Sequence, residues 1–367
     1  MRLSVAAATD ETGRVLAASR RPWAMSLHTT SRDWLQIRLN ELLTDLQQRL
    51  GVGDNELADA TVCIGLTGVT FPYDAQIDLP AELDELPWKF RKLVCTGDAE
   101  IVFASHAKRC SGSAVLCHVG STAFAVSEAG SRRYGGWGPA LGDEGSGYWM
   151  GRSALRAIGQ EYDEGLEQSA LWKRVEAWLE SPDHHVHAWA LASATWRKIA
   201  SECSSAAHSF DRRTAVFRFA HEITGASADQ WRQVVSGLTA PLMQACYVDK
   251  DASAELIVEE AASMLVNQYS QVRRLAAVSS ADPIVLYGGV LTHNPPFRDR
   301  LYGMIRDRFP DIGPLVVPGE GGAMRPVCGA LLYALGESDA GGLRLPSASI
   351  IATLEEHSRA WSQLSND

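Results

Sequence analysis

The chain has 367 residues and a mass of 39.9 kDa; 46% of its residues are hydrophobic and 21% are charged. This length predicts two domains, and the cleft between two domains is the default place for a ligand. The net charge of −10 at pH 7 argues against nucleic acid as a partner, because gripping a phosphate backbone requires clustered Lys and Arg. The start has no secretory leader pattern and no segment reaches the roughly 18 apolar residues of a membrane span. We therefore expect a cytoplasmic protein without a membrane partner.

The first third of the chain alternates strand, loop and helix patterns, which predicts an α/β sheet whose loops gather at one edge. In chain order the pattern predicts a hairpin of Leu3–Ala8 and Arg14–Ala18, a helix over 33–50, a strand at Thr61–Leu66, a short strand at Val94-Cys95, and a helix from Ala99 to about Lys108. A Thr-Gly-Asp-Ala turn, residues 96–99, joins the last strand to the last helix.

The rest of the chain contains fewer strands and more helices. The pattern predicts two strands within Ser113–Val126 that meet at Gly120-Ser121, nearly continuous helix over 146–279, a buried strand at Pro283–Leu286, and an amphipathic helix at Phe297–Phe309. After Gly336, Gly341-Gly342 and Pro346 predict a linker before a last helix at 354–364. The expected domains are a first lobe at 1–112, a second lobe at 113–335, and the linker with its helix at 336–367.

Residues 134–149, Tyr-Gly-Gly-Trp-Gly-Pro-Ala-Leu-Gly-Asp-Glu-Gly-Ser-Gly-Tyr-Trp, form the most informative segment. Each glycine would cost up to about 1 kcal/mol against Ala inside a helix, so the segment predicts a loop. Such a loop lets backbone approach a ligand, while Asp143 presents a carboxylate and Trp137 an apolar wall. The same pattern also fits a tight connection in which Asp143 or Glu144 caps a helix that begins near Ser146.

The length and order of this motif carry a specific resemblance. GGWGPALGDEGSGYWMG resembles the GGWG…GDEGS…W…G signature of N-acetylglucosamine kinases and related BadF/BadG/BcrA/BcrD-type ATPases. Further matches follow in the right order at Thr96-Gly97-Asp98-Ala99, Gly288-Gly289-Val290 and Pro326–Leu331, so the resemblance covers about residues 1–335. It implies an α/β, two-lobed actin-like ATPase (ribonuclease H-like) fold with a helix-rich second lobe, in which sugar and ATP face each other across a cleft.

The resemblance also implies a function, ATP-dependent phosphorylation of an amino sugar such as N-acetylglucosamine or glucosamine, or of a related polyol. ATP and Mg²⁺ would be the cofactors, the sugar the small-molecule partner, and a homodimer one expected assembly; no protein-held metal site is predicted. By carry-over, the catalytic base is Asp98, the substrate-binding residues are Gly136, Trp137 and Asp143, and the nucleotide-binding residues are Gly120, Ser121, Gly288 and Gly289. These are roles that phosphoryl transfer requires, since it relies on positioning and charge stabilisation.

Several of these positions also have a purely structural interpretation. Asp98 follows a glycine at a strand end and could simply cap the helix from Ala99. Gly288-Gly289 fits a strand-to-helix turn, and Gly120-Ser121 fits a plain hairpin turn. The histidines in the 181–187 stretch, His184, His185 and His187, are interpreted as solvated loop residues and not as metal ligands.

The chain departs from the family pattern in three places. Ser4–Ala8 and the turn after it look like the second and third strands, so the first lobe is expected to lack the first strand and its Asp-Gly-Gly-Gly-Thr-Lys type phosphate loop. An absent central strand would leave an unpaired sheet edge. His118-Val119 stands where Gly-Thr is usual and offers no threonine hydroxyl to a phosphate. Arg20–Ser26 lacks the asparagine expected to hold the sugar.

Two other classes therefore stay open. The first is a non-catalytic relative that binds a sugar or nucleotide and acts in regulation. The second is the activator ATPase of 2-hydroxyacyl-CoA dehydratases, which shares the fold and holds an iron–sulfur cluster between subunits. Cys110 and Cys117 are the only close cysteine pair, and they bracket a predicted strand. The seven cysteines are scattered without a C-x-x-C pair, which predicts reduced, mostly buried thiols.

Overall fold

A computed structural model describes residues 4–21, 32–66, 89–108, 111–127, 130–180, 194–199, 201, 218–222, 228–316, 326–339 and 342–364. The predictions for His184, His185, His187, Cys110 and residues 22–26 fall outside the described residues. The five described cysteines, Cys63, Cys95, Cys117, Cys246 and Cys328, are all free thiols.

The N-terminal part contains two separate two-stranded sheets. β1 (Ser4–Thr9) and β2 (Val15–Arg21) form the predicted antiparallel hairpin. β3 (Thr61–Leu66) and β4 (Lys92–Gly97) pair in parallel. The predicted first helix is confirmed as α1 (Arg32–Leu50), which a short α2 (Asp54–Ala58) follows.

Helices cover both faces of these small sheets. Leu35 and Leu39 of α1 pack on Ile64 and Leu66 of β3, as their helical and alternating spacings require. On the other face lie α3 (Asp98–Ala107) and α11 (Pro326–Leu335). α11 packs against β1, β3 and α3, although it lies more than 200 residues after them in the chain. The boundary at residue 112 between two lobes remains a prediction.

The larger sheet has five strands in the order β7-β6-β5-β8-β9. Their bounds are β5 (Gly112–Cys117), β6 (Ser121–Ser127), β7 (Gly130–Gly135), β8 (Ile284–Tyr287) and β9 (Leu315–Val316). β5, β6 and β7 are antiparallel neighbours, and β8 and β9 add in parallel on the other side of β5. β5 is buried along its whole length, as expected for a central strand.

This sheet is covered on both faces. On one face, Ala99 and Phe103 of α3 pack on Leu116 and Phe124. On the other face, α8 (Ala252–Ala276) lies across β6 and β7. Further helices are α4 (Gly147–Asp163), α5 (Ala170–Glu180), α6 (Ala228–Gly237), α7 (Thr239–Gln244), α9 (Gly289–His293) and α10 (Pro295–Arg308), with a π-helical turn at Ala245–Asp249. Residues 194–199 and 218–222 are also helical.

The predicted linker after Gly336 is wrong in part. β10 (Glu337–Asp339) and β11 (Gly342–Arg344) pair there as an antiparallel hairpin. The last helix, α12 (Ala348–Leu364), begins six residues earlier than predicted. Pro346 precedes this helix, where a proline costs no intrahelical hydrogen bond, so it marks the start of the helix and not a spacer.

Candidate active site

The predicted site residues of the second lobe lie where the chain leaves or enters strands at one edge of the five-stranded sheet. β5 ends at Cys117, β7 at Gly135 and β8 at Tyr287, and β6 begins at Ser121. Three segments adjoin these strand ends: 118–121, 135–147 and 287–289. Together we call them the site edge. The carboxyl ends of parallel strands are the usual place for a ligand in an α/β sheet.

The hairpin turn at 118–120 is held against the start of α4. The carbonyl of His118 accepts the N–H of Gly147 at 2.8 Å, and the carbonyl of Val119 accepts that of Tyr148 at 3.1 Å. Val119 also packs against the core, whereas His118 is exposed. In the described part of the chain, the amide N–H groups of Val119 and Gly120 donate to no acceptor. The turn is the predicted hairpin, and it presents two backbone donors suited to an anion.

Asp143 is the most tightly held acid of the site edge. It is 3% exposed, its φ is +62°, and its Oδ2 lies 2.8 Å from Nη2 of Arg232 on α6. Burial raises the pKa of the Asp143 carboxyl, and Arg232 and the backbone N–H of Ser121 oppose that rise. A Cβ on Gly120 would stand 2.7 Å from Oδ1 of Asp143, so only glycine fits this contact. The structure thus brings Gly120 and Asp143 together.

The capping interpretation of Asp143 and Glu144 is wrong. The N-cap of α4 is Ser146, whose Oγ accepts the N–H of Trp149 at 3.1 Å. Asp143 contributes only its backbone carbonyl to this turn, accepting the N–H of Ser146. Its carboxylate caps no helix; it pairs with Arg232 and accepts the backbone N–H of Ser121.

Ser121 is used inside the protein. Its hydroxyl donates to the carbonyl of Glu144 at 2.7 Å, and Nε2 of Gln268 donates to the Ser121 hydroxyl oxygen at 3.2 Å. Gln268, on α8, also donates to the carbonyl of Glu144 and is 3% exposed. The Ser121 hydroxyl therefore holds β6 against residues 135–147, which we call the glycine loop. Nucleotide binding by Ser121 stays a prediction.

Gly288 stands at the tight turn between β8 and α9. Its φ is +116°, and a Cβ there would meet the carbonyl oxygen of Cys117 at 2.3 Å. Gly289 is exposed and opens α9. This is the strand-to-helix turn that the glycine pair predicts, placed directly beside the end of β5. Its proposed contact with adenosine remains a prediction.

Asp98 opens α3 at the end of β4 and is half-buried. Its Oδ1 accepts the N–H of Ala99 at 3.0 Å. The N-cap is Gly97, in extended conformation, so the interpretation of Asp98 as the capping residue is wrong. The capping contact comes instead from Glu100, whose Oε2 accepts the N–H of Gly97 at 2.6 Å and the hydroxyl of Thr96.

Arg133, on β7, holds the loop that follows this strand. It donates to the carbonyl oxygens of Gly136 at 2.8 Å and Gly135 at 3.3 Å. At the start of α3, burial raises the pKa of the Glu100 carboxyl to about 7, and the hydrogen bonds from Thr96 and Gly97 oppose that rise.

Trp137 is 71% exposed and stands on the outer side of the loop with the exposed Leu141. Its role as a pocket wall stays a prediction. Across the described ranges, no three His, Cys, Asp or Glu side chains come together as a metal-binding group. No helix among those same residues has the length and apolar character needed to cross a membrane.

Sequence reasoning missed Arg133, Arg232, Gln268 and Glu100. Arg232 and its partner Asp143 are 89 residues apart in the sequence, and Gln268 and its partner Ser121 are 147 residues apart. No local pattern marks such partners, because each sits in an ordinary helix. Glu100 alone had a signal: a Glu three residues after an N-cap commonly accepts the N-cap amide.

Comparison with known proteins identifies the family to which the chain belongs. The model of the BadF/BadG/BcrA/BcrD ATPase family matches residues 27–334, and the chain belongs to that family. An N-acetylmuramic acid/N-acetylglucosamine kinase of Clostridium acetobutylicum is 28% identical over 162 residues, 43% of this chain and 51% of the relative. An N-acetyl-D-glucosamine kinase of Dictyostelium discoideum is 27% identical over 203 residues, 53% of this chain and 63% of the relative. The chain thus matches about half to under two thirds of the length of these curated relatives.

Solved structures agree on the fold. A protein of Chromobacterium violaceum, proposed to be an N-acetylglucosamine kinase, superposes with a TM-score of 0.56 at 21% identity, over 90% of this chain and 98% of that one. A protein of Porphyromonas gingivalis proposed to have the same activity gives 0.54 at 16% identity, over 91% and 99%. The predicted α/β, actin-like ATPase fold is confirmed.

Proposed function

We propose that this protein is an ATP-dependent kinase that phosphorylates an amino sugar of the N-acetylglucosamine or glucosamine type. The observation that carries the proposal is the buried Asp143 carboxylate beside a turn with two backbone amides that donate to no described acceptor. Asp98, the proposed base, opens α3, which packs on the same five-stranded sheet. Family membership and the names of the curated relatives support the same reaction.

Each group has a place in that chemistry. Asp98, as general base, would take the proton of the attacking sugar hydroxyl. Asp143 would accept hydrogen bonds from other sugar hydroxyls, while Arg232 favours the charged form of its buried carboxylate against the effect of burial. A protein contributes to phosphoryl transfer mainly by holding the attacking sugar hydroxyl in line with the phosphate.

The residues at the site edge fit ATP. The amides of Val119 and Gly120 would face phosphate oxygens, and Gly288 lets the backbone pass within van der Waals reach of the end of β5. A side chain at either glycine would fill this space. Mg²⁺, when bound with ATP, neutralises charge on the phosphate oxygens. The chain's own contribution is the glycine backbone and the two carboxylates.

The test of this proposal is Asp98→Asn in a coupled ADP-release assay with N-acetylglucosamine, glucosamine and N-acetylmuramic acid. We expect kcat to fall by about 10²- to 10⁴-fold, the usual contribution of a general base, with little change in KM. The fold should be kept, because Asn retains the side-chain oxygen that accepts the N–H of Ala99.

Asp54→Asn is a matched control. Asp54 also opens a helix directly after a glycine N-cap, but it is exposed and belongs to α2. We expect this variant to keep wild-type turnover. An undiminished kcat in Asp98→Asn would exclude Asp98 as the base.

A second candidate function is that of a non-catalytic relative that binds a sugar or nucleotide. Two observations favour it: within the described residues β1–β2 and β3–β4 are two separate sheets, and the Ser121 hydroxyl is committed to Glu144 and Gln268. Calorimetric titration with ATP·Mg²⁺ and, separately, with each sugar distinguishes the two. Sugar binding without ATP binding or turnover would favour the non-catalytic relative, and measurable turnover would exclude it.

A further inference from the structure

Glu100 is a buried carboxylate at the start of the helix that carries Asp98. It is 4% exposed, and one of its oxygens, Oε2, accepts both the N–H of Gly97 at 2.6 Å and the hydroxyl of Thr96. Thr96 is itself fully buried. These two hydrogen bonds fix the residues directly before Asp98, so they set the direction in which the Asp98 side chain leaves the backbone.

The same local arrangement occurs a second time in the chain. Gly53 is the N-cap of α2, Asp54 is its first residue, and Oε2 of Glu56 accepts the N–H of Gly53 at 2.8 Å. Glu56 is exposed, however, and no threonine hydroxyl adds to its contact. A comparison of Glu56 with Glu100 therefore distinguishes the general effect of a glutamate that accepts the N-cap N–H from the additional effect of burial at Glu100.

Several charged or titratable groups face Glu100. Asp98 lies on its own helix, Arg133 reaches it from β7, and the thiols of Cys63 and Cys95 lie on β3 and β4. Burial, to which the charge of Glu100 adds, raises the pKa of Cys63 to about 12 and that of Cys95 to about 11, so both stay neutral. Arg133 is therefore the one cation among these groups.

Arg133 is used elsewhere. Its guanidinium donates to the carbonyl oxygens of Gly135 and Gly136, and its charge is only a minor influence on the pKa of Glu100. The contacts of Glu100 that matter here are those to Gly97 and Thr96, directly before Asp98. Neither Glu100 nor Arg133 is assigned to the substrate or to the nucleotide.

We propose that Glu100 is a positioning residue: its carboxylate fixes the Thr96–Gly97 turn that aims Asp98. This inference rests on the proposed kinase function, in which Asp98 is the base. In its ionised form Glu100 is the stronger acceptor, because hydrogen bonds to a carboxylate are roughly twice as strong as neutral ones.

The protonation of Glu100 changes in the neutral range, since burial raises its pKa to about 7. Below that pH the carboxyl is neutral, its hydrogen bonds weaken and its attraction to Arg133 is lost. Turnover should therefore rise as the pH passes through about 7. A residue that only fills space would not produce this inflection.

The experiment compares wild type, Glu100→Gln and Glu56→Gln in kcat and KM between about pH 5.5 and 9. The Gln variant keeps an acceptor oxygen for Gly97 and removes the charge. We expect kcat to fall about 10-fold or more, within the 10²-fold that a 1 Å misplacement can cost, with KM for sugar and ATP nearly unchanged. The inflection near pH 7 should disappear. Glu56→Gln should match wild type, and an unchanged inflection in Glu100→Gln would overturn the proposal.

A readout without turnover separates this inference from the proposed function. If the wild type phosphorylates no sugar, the kinase proposal fails, and hydrogen exchange at the amide of Gly97 still tests Glu100. Glu100→Ala should speed that exchange relative to wild type at the same pH, because the acceptor of the Gly97 N–H is lost. Equal protection in wild type, Glu100→Gln and Glu100→Ala would show that Glu100 does not hold the turn.

Discussion

Asp143 is fixed from several sides: it is 3% exposed, adopts a positive φ, pairs with Arg232 and leaves no room for a side chain at residue 120. Asp98 is half-buried, and its described hydrogen bond goes to the next residue of its own helix. The order at Asp98 comes from its neighbours, chiefly Glu100. The contrast suits two different tasks, since an anchor for hydroxyls must be rigid and a base must exchange a proton with its substrate.

The Glu100 side of this comparison predicts the largest effect on stability. The pKa of Glu100 is raised from 4.5 to about 7, so the folded state holds this proton more tightly than the unfolded state does. The resulting stabilisation is fully present below about pH 4.5 and is lost as the pH rises through about 7, and its size is about 3 kcal/mol. Urea unfolding at several pH values should show this decline in wild type.

The matched variant is again Glu100→Gln. The difference in unfolding free energy between wild type and this variant should change across the same pH window, while that between wild type and Glu56→Gln should stay constant. A flat difference for Glu100→Gln would mean that its carboxyl titrates alike in the folded and unfolded states.

The Asp143 side predicts a loss of function from a single methyl group. In Gly120→Ala, the Cβ would stand 2.7 Å from Oδ1 of Asp143, so the carboxylate or the turn must shift. We expect kcat/KM for the sugar to fall about 100-fold, near 2.7 kcal/mol, because displacements of about 1 Å have that cost. Steady-state kinetics and sugar titration measure the change.

Gly159→Ala serves as its control, because nothing lies within 4 Å of a Cβ there and the residue is in the interior of α4. This variant should keep its activity and become slightly more stable. Wild-type sugar kinetics in Gly120→Ala would show that Asp143 is not the anchor.

The smallest expected effect concerns the partner of Asp143. Arg232→Met removes the cation and leaves a buried carboxylate, which should lower the free energy of unfolding by about 2 kcal/mol; the value is below that of fully buried pairs because Arg232 is 16% exposed. Arg174→Met, which breaks the exposed pair with Asp249, should cost less than about 1 kcal/mol. Equal losses in the two variants would mean that burial does not distinguish Asp143.

Local patterns were sufficient for much of the fold. The hairpin β1–β2, α1 with its leucines, β3 and the β5–β6 hairpin fall within three residues of their predicted bounds. These elements have strong periodicity or turn residues, and such signals lie within a dozen residues of chain. The prediction failed at 337–344, where a glycine-rich stretch reads as a spacer but pairs as two strands.

The sequence by itself determined the fold class and the glycine loop at 135–147, because a long glycine motif restricts the backbone locally. It also singled out Asp98 and Asp143, the two acids on which the proposed chemistry rests. Only the tertiary structure decided how those acids are held. Three of the side chains around the site lie on α6, α8 and β7, elements whose own sequences carry no functional signature. They are Arg232, Gln268 and Arg133. Whether a carboxylate such as Glu100 is an exposed helix cap or a buried, titrating group depends on which elements pack over it, and that is a property of the whole fold.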